Sequence, residues 1–213
     1  ELCPRLGLAI PVGKDSLSMK TVWQQGDEAR EMTAPLSLII SAFSPVTDIR
    51  KTLTPQLRTD KGDTDLILVD LGKGRNRLAA SALAQVYGQV GHQAPDLENP
   101  NALKAFFNAI QDLRAEGLIL AYHDRADGGL LATLAEMSFA GHTGLTVCVG
   151  QFSEQLLPAL FNEELGAVLQ VKHCDTDTVL EVFREAGLSH CTHVMGELND
   201  SDELVITFAH QEV

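Results

Sequence analysis

The residues best suited to chemistry lie in one run, His123-Asp124-Arg125-Ala126-Asp127-Gly128-Gly129, between an apolar stretch and a segment with helical spacing. Two carboxylates three residues apart at a strand end can hold a hard divalent cation, and the amides of Gly128, Gly129 and Leu130 at a helix N-terminus can receive phosphate oxygens. A plainer reading competes: Asp127 caps the helix, the two glycines make the turn and Asp124 is solvated. Gly13-Lys14-Asp15-Ser16 places a cation, an anion and a hydroxyl on a glycine-started loop, but it lacks the spacing of a P-loop, and a surface turn is the alternative. Gly72 to Asn76 carries Gly-x-Gly after a strand, yet without a third glycine or an acid at the right distance it fails as a dinucleotide fingerprint. Glu163 and Glu164 are adjacent, so they do not share a face, and a helix end is the default over a paired acid and base. The histidines form no HExxH, His173-Cys174 and His190-Cys191-Thr192-His193 could be forced into a soft-metal site but at such irregular spacing surface or core His and buried inert Cys are the favoured reading, and GxSxG is absent.

These loops need elements to hold them. Alternation at Leu17, Met19, Thr21 and Trp23 predicts a strand after the Lys14 loop, Gln24 to Arg30 a polar turn, and Pro35 to Phe43 a second, buried strand. The Pro-containing stretch Ser44 to Gly62 is the expected domain boundary. Beyond it strands and helices interleave. Asp65–Leu71, Leu118–Tyr122, Gly144–Gly150 and Gly166–Lys172 read as strands, followed by THVMGEL and ELVITFA joined by a turn at Asn199 to Asp202. Helical faces run from Leu78 to Val90, from Pro100 (capped by Asn99) to Gly117, from Leu130 to Phe139, near Leu156 to Leu160, and through Val179 to Ala186. Several joins are of hairpin length, so a layered mixed-sheet α/β or α+β domain is expected over a parallel Rossmann sheet.

The 213 residues allow one large domain or a domain plus a part of another, and 45% apolar with 21% charged residues is ordinary globular composition. A net charge of −13 disfavours nucleic acid and anionic membranes as partners, and a phosphate-bearing ligand would need a metal or a local site. Apolar runs fall well short of the roughly 20 residues that span a bilayer. Four scattered cysteines suggest neither a disulfide framework nor a zinc ribbon, and a reducing cytoplasm is the simplest compartment. The chain starts at Glu1 in what reads as mid-domain sequence, so a piece of a longer protein is expected.

Taken together, IPVGKDSLSMKTVW, PLSLIISAF, LTPQL, LILVDLGKGRN, LILAYHDRADGGLLATLAEMSFAGHTG and FNEELGAVLQV resemble the large, single-chain bacterial formylglycinamide ribonucleotide amidotransferases. Nearly the whole chain is covered. The resemblance implies the tail of the second synthetase N-terminal domain at 1–47 and the second C-terminal domain, aminoimidazole ribonucleotide synthetase-like, at 48–213. It implies an ATP- and magnesium-dependent ligase as the intact parent, which phosphorylates the amide oxygen of formylglycinamide ribonucleotide and displaces phosphate with ammonia from a separate glutaminase domain. In this chain Asp124 matches the magnesium ligand, Ala126, Asp127, Gly128 and Gly129 the nucleotide loop, and Lys14, Asp15 and Ser16 the segment approaching substrate. Ala126 stands where the family commonly has serine, which removes a hydroxyl, and Ala79-Ala80 stand where many relatives have two glycines. No catalytic residue is assigned, and the piece alone is not expected to complete the reaction. Another ATP-using enzyme of the superfamily, or a scaffold domain that binds nothing, are the alternatives.

Overall fold

The computed structural model describes residues 2–14, 19–34, 38–208 and the backbone of 211–212. It divides into two compact units, Glu1–Ile49 and Arg50–Val213. In the first unit, a short helix α1 (Leu2–Leu6) precedes an antiparallel hairpin, β1 (Lys20–Gln25) and β2 (Glu28–Thr33), closed by Gly26 at φ +65° and Asp27. The second strand expected at Pro35 to Phe43 is not formed over 38–43, which is coil, and Pro35 to Ser37 lie outside the described residues. The reason is physical: the hairpin supplies no sheet face to cover it, and Ile39 and Phe43 are 90% and 96% exposed.

The second unit is built on a mixed sheet in the order β4-β6-β3-β7-β5-β8-β9. Its strands are β3 (Thr64–Asp70), β4 (Ile119–Asp124), β5 (Gly144–Cys148), β6 (Gly166–Lys172), β7 (Thr192–Asn199), β8 (Leu204–Phe208) and β9 (Gln211–Glu212). Every pairing is antiparallel except β5 with β8. Central β3 is buried throughout, which explains its continuous apolar run. Leu66 and Leu68 face one core with α4 (Gly129–Gly141) and α5 (Leu156–Phe161), through Leu130, Leu134, Met137 and Leu160. Ile67 and Val69 face the other with α3 (Pro100–Glu116) and α6 (Thr176–Glu185), through Phe106, Ile110, Leu113, Val179 and Phe183. Each such side chain contributes about 1.5–3 kcal/mol by burial. The expected layered, mixed-sheet α/β architecture is therefore present.

Helix α3 starts and stops on its sequence signals: Asn99 Oδ1 accepts from Asn101 and Ala102 N–H, Pro100 opens the helix, and Gly117 ends it at φ +76°. The helix expected from Leu78 to Val90 shrinks to α2 (Ala82–Val86). Left-handed Ala80 (φ +61°) and Gly88 (φ +63°) bound it, and Val86, Tyr87 and Val90 of the expected apolar face are exposed. Nor do β7 and β8 form a hairpin, because β5 lies between them. The crossing chain packs on Gly144, where a Cβ would lie 2.0 Å from Asn199 Oδ1. Asn199 Nδ2 donates to Thr146 Oγ1 and to the Glu203 carbonyl, fixing that join.

Candidate functional site

Strands β3 and β4 flank β6, and their C-terminal ends bring two polar loops together around the start of β6. The first is the Gly-rich loop after Asp70. The Asp70 carboxylate, 5% exposed, accepts N–H bonds from Gly72 at 3.1 Å and Gly74 at 2.7 Å, so this loop wraps around an internal anion. The second is the Asp124–Gly128 loop. Its cation turns inward: Arg125 Nη2 donates to Asp70 Oδ1 at 2.5 Å and Nε to the Glu164 carbonyl at 2.7 Å. Its two acids face outward, since Asp124, Ala126 and Asp127 are all exposed.

Asp124 Oδ1 accepts the Tyr122 hydroxyl at 2.5 Å. Burial, and then that hydrogen bond, push the Tyr122 phenol far above its ordinary pKa, so it remains a donor. The neighbouring His123 Nε2 lies 2.5 Å from Glu136 Oε2 on α4. Helix α4 begins with consecutive left-handed glycines, Gly128 at φ +84° and Gly129 at φ +71°. Asp127 does not cap it: the N-cap is Gly128, without a side-chain acceptor of its own.

Two of the three amides expected to receive phosphate, those of Gly128 and Gly129, are already engaged. Gly128 N–H donates to Glu163 Oε1 at 2.9 Å and Gly129 N–H to the Ala126 carbonyl at 2.9 Å. The glycines shape the turn, and their donors are spent within the protein. Lys14 lies on coil of the first unit, while Asp15 and Ser16 lie outside the described residues. A polar hollow of about 660 Å³ is lined by Gly74, Arg75, Asn76 and residues 150–155 together with Pro158, none of them from the Asp124–Gly129 loop.

Sequence reasoning missed Glu163 and Glu164, treating them as a helix end. Glu164, 1% exposed, takes Arg77 Nε at 2.6 Å and Nη2 at 2.7 Å, while Arg77 Nη1 reaches Glu98 at 2.9 Å. Hydrogen bonding to Glu164 raises the Arg77 pKa further. Gly72 is required beside it, since a Cβ there would lie 2.7 Å from the Glu164 side chain. The signal available in the sequence was that two adjacent acids must point in opposite directions, with Arg77 and Arg125 as candidate partners.

A central mixed sheet with helices on both faces and two polar loops meeting at one strand start defines a layered α/β class of domain. Residues 65–209 match the family model of the AIR synthase related protein, C-terminal domain, and residues 1–45 that of the FGAR-AT PurM N-like domain. The chain belongs to the AIR synthase related family, and the two matches in this order make it PurL-like. Thermotoga maritima PurL complexed with FGAR has a TM-score of 0.62 at 16% identity, over 87% of this chain and 29% of that one. T. maritima PurL complexed with ATP gives 0.60 at 14%, over 87% and 27%. E. coli HypE, a hydrogenase maturation protein, gives 0.52 at 16%, over 76% and 51%. The chain thus spans under a third of those PurL chains, and at these identities the likeness is one of fold.

Proposed function

We propose that this chain is part of an ATP-dependent carbon–nitrogen ligase of purine biosynthesis, and that its acidic loop forms one wall of the magnesium–ATP site. The proposed substrate is formylglycinamide ribonucleotide, with ammonia released from glutamine by a glutaminase domain elsewhere in the protein. Family membership and the ligands named for the PurL structures support this reading. Four free thiols accord with a reducing cytoplasm, and no helix among the described residues is long and apolar enough to cross a membrane.

The observation that carries the proposal is the sorting of charge on one loop: Arg125 is buried against Asp70, whereas Asp124 and Asp127 stand exposed. Among the described residues no group of three or more His, Cys, Asp or Glu could hold a metal, so side chains do not cage an ion here. One exposed carboxylate fits magnesium, which takes one or two carboxylates and fills its shell with water and phosphate oxygens. Asp124 would hold the ion, with Tyr122 orienting the carboxylate through its hydroxyl. When bound, magnesium neutralises charge on the phosphoryl group in transfer. Ala126 and Asp127 would flank the nucleotide, with Gly128 and Gly129 setting the turn; Lys14, Asp15 and Ser16 would approach the substrate. Asp124→Asn in the intact protein should raise the magnesium needed for half-maximal turnover roughly tenfold or more, the scale on which even outer-shell partners act. Unchanged kinetics across magnesium concentrations would overturn it.

A scaffold that binds no nucleotide is favoured by one fact, the internal engagement of the Gly128 and Gly129 amides. Calorimetric titration of this chain with magnesium–ATP separates the two, because a saturable heat excludes the scaffold.

A further inference from the structure

Glu163 and Glu164 leave the junction of α5 and β6 with different tasks. Glu164 and its carbonyl lock the interior through Arg77 and Arg125. Glu163 instead bridges two loops with a single atom: its Oε1 accepts the Ala82 N–H at 2.7 Å and the Gly128 N–H at 2.9 Å. Ala82 opens α2, just beyond the Gly-rich loop, and Gly128 ends the acidic loop at the start of α4. Because Gly128 has no side-chain cap, this carboxylate is the acceptor supplied to it from another part of the chain. The positive end of the α4 dipole strengthens a bond to a charged oxygen.

We infer that Glu163 is a positioning residue, which through the Gly128 N–H sets where Asp124 and Asp127 stand and thereby tunes the affinity of their rim for magnesium–nucleotide. The inference rests on the reading of Asp124 given above. Arg125 remains anchored by Asp70 and Glu164 when Glu163 is altered, so the effect should fall on the rim and spare the fold.

The test is calorimetric titration of magnesium into the intact protein with a non-hydrolysable ATP analogue, alongside amide hydrogen exchange at Gly128 and Ala82. Glu163→Ala should weaken magnesium binding about tenfold, and Glu163→Gln, which keeps an oxygen but loses its charge, about threefold. Both should speed exchange at Gly128. Val179→Ala, a cavity in the α6 core on the sheet face opposite α4, is the control for general loosening and should leave magnesium affinity unchanged. If Asp124→Asn shifts magnesium binding while both Glu163 variants match wild type, the inference fails and the proposed function stands. An equal shift in Val179→Ala reduces Glu163 to a structural role and also overturns it. If Asp124→Asn changes nothing, the proposed function itself falls. Should Glu163→Ala not fold, Glu163→Gln alone decides, wild-type affinity counting against the inference.

Discussion

Asp70→Asn should be among the most damaging single-atom changes in the protein. Donors surround both carboxylate oxygens: Oδ1 takes Gly72 N–H and Arg125 Nη2, and Oδ2 takes Gly74 N–H. An asparagine amide placed either way sets N–H against N–H, and Arg125, itself 5% exposed, loses its only carboxylate partner among the bonds described. Breaking a buried pair on one side costs about 3–5 kcal/mol. With a urea m-value of about 2 kcal/mol/M, the unfolding midpoint should fall by about 2 M. The guanidinium would keep its bonds to the Glu164 and Leu165 carbonyls, so what is lost is the neutralising charge beside it. A loss below about 1 kcal/mol would show that Arg125 readily finds another acceptor, and would refute the view that this pair organises both loops. Asp60 supplies the contrast. Arg58 grips it through two bonds of 2.8 and 2.7 Å, and Arg58, then Lys61, hold its carboxyl well below the usual range. Both groups are exposed, so water screens the pair, and Asp60→Asn should leave the midpoint in place.

Gly129→Ala should destabilise the chain by roughly 3 kcal/mol in urea unfolding, because its Cβ would lie 2.6 Å from the Asn162 carbonyl oxygen at a φ of +71°. Ala80→Gly should act in the opposite direction. Ala80 is an exposed alanine at φ +61°, and relief of that strain exceeds the entropic cost of glycine by about 0.5–1 kcal/mol. His173 gives a pH signature: its hydrogen bond to Asp65 raises its pKa, so its stabilising contribution is complete below about pH 6.5 and fades as pH rises through the elevated folded value. Burial lowers the pKa of His193, which has the opposite sign and costs stability as pH falls, so the measurement is the difference between wild type and His173→Ala across pH 5–9.

Elements with local signals were legible. Asn99-Pro100 and Gly117 bound α3, and the apolar run of β3 announces a strand covered on both faces. What sequence could not show was long-range choice. Nothing local in THVMGEL or ELVITFA reveals that β5 inserts between them, because the permission comes from Gly144, far away in sequence. The Leu78 to Val90 periodicity misled for a related reason, since a left-handed Ala80 breaks the backbone while the apolar spacing continues. The chemistry-bearing loop was identified by residue type, and its exposed acids were visible in the sequence. Its donors were not, because whether an amide is available depends on what else in the fold reaches it first.

That competition changes what the loop can offer a ligand. Read by itself, His123-Asp124-Arg125-Ala126-Asp127-Gly128-Gly129 contains a guanidinium and two glycine amides that would welcome phosphate. In the folded protein Asp70 takes the guanidinium, Glu163 one amide and the Ala126 carbonyl the other. The exposed charged side chains left on this loop are the carboxylates of Asp124 and Asp127, on a chain whose net charge is −13. Such a surface repels a bare triphosphate and attracts one that arrives with its counter-ion. On the proposed reading the divalent ion is therefore a condition of nucleotide contact at this wall, and the internal anions Asp70 and Glu163 create that condition by withdrawing the positive groups.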